Sequence, residues 1–111
     1  MEIYRDPNNI IEVSAGQFFG IALKANLTAG FAWILEIYDD TIVKIIEKKS
    51  TQPSDTKPVN SIKVGEETEQ IFEIEAIKPG KLEIKMKYKR EWKKSSKDEK
   101  TFMIIVNPKF F

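Results

Sequence analysis

The chain has 111 residues, with 41% apolar and 32% charged side chains and a formal net charge of +1. That length supports one domain, residues 1–111, around a single core; the balance argues against disorder, and near neutrality removes any global electrostatic case for a nucleic-acid or membrane partner. Cysteine and histidine are both absent, which excludes disulfides, thiolate nucleophiles, Ser-His-Asp arrangements and thiolate or imidazole metal sites, so no cofactor is implied and an enzyme would have only carboxylates, Lys, Ser and Tyr to work with.

The chain begins MEIYRDPNN, polar and acidic where a signal peptide would be basic and then apolar. No apolar run approaches the ~18 residues of a membrane span. The expectation is a monomer, either cytoplasmic or a mature secreted form. The dominant hydrophobic period that follows is two. Ile10–Ser14 is the first strand candidate. In Gly16–Ala25, Phe19, Ile21, Leu23 and Ala25 share one parity; in Phe31–Tyr38, Phe31, Trp33, Leu35 and Ile37 do the same. Thr41–Glu47 and Gln70–Ala76 are rich in Ile, Val and Phe, as strands prefer. In Lys81–Lys89, Leu82, Ile84, Met86 and Tyr88 alternate with Lys81, Glu83, Lys85, Lys87 and Lys89, predicting one buried face and one wet, charged face. Thr101–Asn107 closes the series.

The separators are turn-like: Ala15-Gly16, Asp39-Asp40 and Lys78-Pro79-Gly80. Two polar connections are long, Lys48–Ser61 and Lys89–Lys100, and long loops are usually functional or mobile. No segment carries helical periodicity beyond a turn. Seven to eight short strands with turns between them predict an all-β, Greek-key sandwich of the immunoglobulin-like kind, with Trp33, on an early strand read as central, as its core plug.

Three stretches carry more than a turn requires. Asn26-Leu27-Thr28-Ala29-Gly30 precedes the Phe31/Trp33 run, although a tight hairpin needs only two such residues. Val64-Gly65-Glu66-Glu67-Thr68 is the second. Arg90-Glu91-Trp92 places an indole in a lysine-rich loop where no core pattern asks for one, and exposed Trp beside Arg is a typical interface anchor. In a Greek-key sandwich the connections after the second, fourth and sixth strands share one end, and the strand count assigns these three stretches to them. The acid pairs Asp39-Asp40, Glu66-Glu67 and Asp98-Glu99 read as solvated turn residues, because neighbouring acids on a strand point to opposite faces. The lysine face of residues 81–89 is interrupted by Glu83 and lacks interleaved aromatics, so it reads as a solvated face rather than a phosphate grip. The residues alone leave open a binding module, an inert adhesion or structural domain, and a Lys/carboxylate hydrolase.

NLTAGFAW resembles the Asn-Pro-Thr-Thr-Gly-Phe/Tyr-x-Trp motif of the chagasin-type inhibitors of papain-like cysteine peptidases. Upstream, GQFFGIALKAN is similar to that family's Gly-x-x-Phe-x-Ile-x-Leu-x-x-Asn strand. Downstream, residues 65–92 resemble its Gly-rich loop, two strands and Arg-Pro-Trp motif, so the likeness runs from Val13 to Pro108. Leu27 stands in place of the motif's Pro, Ala29 in place of its second Thr, and Glu91 in place of the Pro between Arg90 and Trp92. The Gly-rich loop matches least, with Val64 or Gly65 at its first Gly. The resemblance implies a non-enzymatic, reversible, competitive inhibitor that fills a papain-like cysteine peptidase's cleft with three loops. Asn26, Leu27, Thr28, Ala29, Gly30 and Phe31 would enter the catalytic centre. Val64, Gly65 and Glu66 would run along one side, and Arg90, Glu91 and Trp92 would pack on the other.

Overall fold

Recurring period-two alternation can bury its apolar parity only by facing two sheets together, and the computed structural model, which describes residues 1–51 and 68–109, shows this arrangement. The strands are β1 (Glu2–Tyr4), β2 (Ile11–Ser14), β3 (Phe18–Ala25), β4 (Phe31–Ile37), β5 (Val43–Thr51), β6 (Thr68–Ala76), β7 (Gly80–Arg90) and β8 (Asp98–Asn107). One sheet runs β1-β3-β6-β5 and the other β2-β8-β7-β4. Pairing is antiparallel except that β1 runs parallel to β3 and β2 parallel to β8. This is an all-β sandwich with immunoglobulin-like strand exchange between sheets.

The segment preceding β3 divides between the sheets, which the sequence reading did not anticipate. Asp6 turns the chain after β1: the Asn8 N–H donates to Asp6 Oδ1 at 2.9 Å and the Asn9 N–H to the Asp6 carbonyl at 3.2 Å. β2 then joins the opposite sheet beside β8. Three residues are too few to show a period, so β1 carried no recognisable signal. The polar stretch after Arg90 also proved shorter than expected, because β8 starts at Asp98 with Tyr88 as its partner.

The core follows the predicted parity. Phe19, Ile21, Phe72, Ile74, Ile84, Met86, Phe102 and Ile104 are fully or almost fully buried. Trp33 is buried as expected, but among the described residues β4 is the outer strand of its sheet, not a central one. The indole instead reaches across the sandwich, its Nε1–H donating to the Lys24 carbonyl of β3 at 2.9 Å. The Trp33 backbone N–H, on the open edge of β4, donates to Gln70 Oε1 of β6 at 2.7 Å. Two side-chain bonds thus tie the edge of one sheet to the other.

Candidate functional site

The ladder ends show which connections share a surface. Ala25 of β3 pairs with Thr68 at the start of β6, and Thr51 at the end of β5 pairs with Glu69. In the facing sheet Phe31, at the start of β4, pairs with Arg90 at the end of β7. The β3–β4 and β7–β8 connections therefore emerge at one end, where β5 also stops and β6 starts. Val64, Gly65 and Glu66 lie outside the described residues.

The first connection is a closed turn. Asn26 caps a 3-10 turn over Leu27–Ala29: its Oδ1 accepts from the Ala29 N–H at 3.3 Å, as Asn caps do. The Asn26 carbonyl accepts from the Phe31 N–H at 3.2 Å, and the Leu27 carbonyl from the Gly30 N–H at 3.0 Å. Gly30 ends the turn at φ 86°, in the left-handed region that favours glycine. Leu27 is half-buried against the core. It fills space under the turn, which two polar turn residues would leave empty.

The second connection packs on the first. Trp92 is 71% exposed, yet a Cβ placed on Gly30 would lie 2.8 Å from its Cη2. The indole therefore rests on the bare glycine backbone. Arg90 joins the two loops. Its Nε–H donates to the Ala29 carbonyl at 3.2 Å, and its guanidinium lies 4.6 Å from the Phe31 ring centroid and 5.9 Å from that of Trp92. Glu91 is exposed between them.

A column of rings roots this tip in the core. Phe31 stacks on Tyr88 with centroids 5.3 Å apart, and Tyr88 stacks on Trp33 at 4.9 Å. All lie on the inward parity of β4 and β7, so the column is a direct result of pairing Phe31 with Arg90 and Trp33 with Tyr88. Stacked pairs add about 0.5–1.5 kcal/mol each beyond their buried area. Tyr88 also accepts, at its hydroxyl oxygen, the Asn26 backbone N–H at 2.7 Å. Sequence reasoning assigned Tyr88 to the buried face and missed this role. The available signal was a phenol at the last inward position before the loop, since a buried phenol seeks a polar partner.

The other charged clusters do not form sites. Lys87 pairs with Glu36 at 3.0 Å and Glu99 at 3.8 Å, and the Glu36 hydrogen bond raises the Lys87 pKa above its ordinary value. Lys85 also reaches Glu99, at 4.0 Å. On this face the charges of Lys85 and Lys87 are thus met by Glu36 and Glu99. Asp39 Oδ1 accepts from the Thr41 N–H and hydroxyl, a turn role that lowers its pKa. Among the described residues no cluster of three or more acids is placed to hold a metal.

Comparison with known proteins gives a family and a fold. The family model described as "Chagasin family peptidase inhibitor I42" matches residues 12–106. Comparison with curated proteins gives no match. The fold is similar to the cysteine protease inhibitor EhICP2 from Entamoeba histolytica, with TM-score 0.70, 19% identity and 96% of each chain covered. It is also similar to amebosin, with TM-score 0.65, 20% identity and 97% of each chain covered. A third similar structure is PbICP-C, solved in complex with falcipain-2, with TM-score 0.56 and 22% identity over 97% of this chain and 88% of that one.

Proposed function

We propose that this chain, which belongs to the chagasin family of peptidase inhibitors, blocks papain-like cysteine peptidases reversibly and competitively, with the tip built from residues 26–31 and 90–92 filling the active-site cleft. The observation that carries this reading is Trp92, 71% exposed but seated on Gly30 and linked through Arg90 to a stacked core column. An exposed aromatic held in one place loses little entropy on binding, the condition for a hot-spot anchor. The Asn26–Phe31 segment is a closed 3-10 turn, so it offers a peptidase no extended strand to cleave. Thr28 would stand near the enzyme's catalytic groups, Trp92 and Arg90 would hold one wall of the cleft, and Val64, Gly65 and Glu66 would complete the contact from the other.

Titration of papain with the purified chain tests this. The expected result is loss of activity that substrate reverses, with the inhibitor recovered uncut. An enzyme whose catalytic cysteine carries a very small alkyl group should still bind, more weakly. Full residual activity, as an adhesion domain of the same fold would leave, or stoichiometric cleavage between Asn26 and Phe31, would overturn the proposal.

A further inference from the structure

Beside the tip lies a small pocket that the inhibitor reading leaves unused. It has a volume of about 190 Å³ and is lined by Phe31, Arg90, Lys93, Ser95, Ser96 and Lys97. The Phe31 ring is its apolar wall, with the Arg90 guanidinium 4.6 Å and the Lys97 ammonium 4.9 Å from the ring centroid. Turn bonds shape the loop around it: the Lys93 N–H donates to the Arg90 carbonyl at 3.1 Å and the Lys97 N–H to the Tyr88 carbonyl at 2.7 Å.

The charge here is unbalanced. Residues 89–98 hold Lys89, Arg90, Lys93, Lys94 and Lys97 against Glu91 and Asp98, a net +3 on a chain of net +1. Among the described residues, Arg90, Lys93, Lys94 and Lys97 form no ion pair, while Lys85 and Lys87 of the neighbouring sheet face are matched by Glu36 and Glu99. Residues 52–67 carry Asp55, Glu66 and Glu67 against Lys57 and Lys63, a net −1 that would not cancel the excess. Cations gathered on an aromatic wall repel one another, and an incoming anion relieves that repulsion. The space suits a carboxylate, and the Ser95 hydroxyl offers a donor beside the cations, while the Ser96 hydroxyl already donates to Glu99 Oε1 at 3.3 Å.

We propose that this pocket is a carboxylate subsite that takes an Asp or Glu side chain from the rim of the target peptidase's cleft, next to where Trp92 docks, and so directs the inhibitor toward peptidases with an acidic rim. This rests on the inhibitor reading above. The site acts on association rate and partner choice, because exposed charge steers encounter more than it holds a complex.

The test combines Lys93→Gln/Lys97→Gln with carboxylate-to-amide variants of papain along its cleft rim. Both lysines are exposed, so the melting temperature should not change. Wild-type association should slow by roughly tenfold between low and high salt, and the double variant should lose most of that dependence. At least one papain variant should weaken wild-type inhibition by roughly tenfold yet leave the double variant's inhibition unchanged, the signature of a coupled pair. Equal inhibition and equal salt dependence for wild type and double variant would overturn the subsite while leaving the inhibitor reading intact. Absence of inhibition by wild type would overturn both. Saturable millimolar binding of acetate or sulfate, abolished in the double variant with papain inhibition unchanged, would mark a free-anion site and overturn the assignment to a partner side chain.

Discussion

Replacing Gly30 with alanine puts one methyl group where the Trp92 indole already sits. The added Cβ would meet Trp92 Cη2 at 2.8 Å, well inside the ~3.5–4.0 Å optimum for carbon pairs. At φ 86° any L side chain is strained as well, at about 1–2 kcal/mol. The Trp92 ring is 71% exposed and Gly30 lies in a hydrogen-bonded turn, so the ring moves and the backbone stays. Two losses follow. Stability falls by about 1–2 kcal/mol, lowering the melting temperature by roughly 4 °C or more per kcal/mol for a domain of this size. Binding falls by about 2 kcal/mol as the anchor leaves its seat, close to 30-fold in the inhibition constant. A double-mutant cycle separates these. Gly30→Ala, Trp92→Ala and the pair are compared by inhibition constant against papain and by melting temperature. If the indole transmits the damage, Gly30→Ala should cost almost nothing further in binding once Trp92 is alanine. Binding losses that add to within about 0.5 kcal/mol would refute the idea that the two loops form one surface.

Trp33→Ala should remove about 3–5 kcal/mol of stability and leave the Lys24 carbonyl without its donor, whereas Trp92→Ala should barely move the melting temperature; thermal denaturation of both variants checks this. Tyr88→Phe keeps the stack but leaves the Asn26 N–H without its acceptor, so inhibition should weaken more than melting suggests, by about 1–3 kcal/mol, read as faster dissociation in surface-binding kinetics. Leu27→Pro places proline at the first position of the 3-10 turn, where its fixed φ suits, and should inhibit as well as or better than wild type. The Arg5 hydrogen bond lowers the Glu69 pKa below its ordinary 4.5. A depressed carboxyl adds stability above its unfolded pKa and loses it as pH falls through the folded one. Stability should therefore decline as pH falls below about 4.5, and Arg5→Gln should flatten part of that decline, an effect kept small by the exposure of the pair.

Much of this was legible because it is local. Period-two alternation locates β3, β4 and β7 and their buried faces, since a strand's side chains alternate whatever it pairs with, and Ile, Val and Phe content locates β2, β5, β6 and β8. It also separates the two tryptophans: Trp33 keeps parity with Phe31 and Leu35, while Trp92 sits among Arg90, Glu91, Lys93 and Lys94. Asn26 and Gly30, four residues apart, carry the chemistry of a capped turn with a left-handed end.

The remaining contacts depend on register between distant segments. Whether Tyr88 meets Asn26, or Arg90 reaches the Ala29 carbonyl, follows from Phe31 pairing with Arg90 across 58 residues of intervening chain. A slip of one residue would turn those side chains to the opposite face, and no local pattern records the slip. The division of the chain start into β1 and β2, the half-burial of Leu27 and the gathering of Arg90, Lys93 and Lys97 beside Phe31 are likewise results of packing. Local sequence tells which residues are apolar, turning or charged; the fold sets which of them touch, because contact energy belongs to pairs and pairing is settled only when the two sheets close.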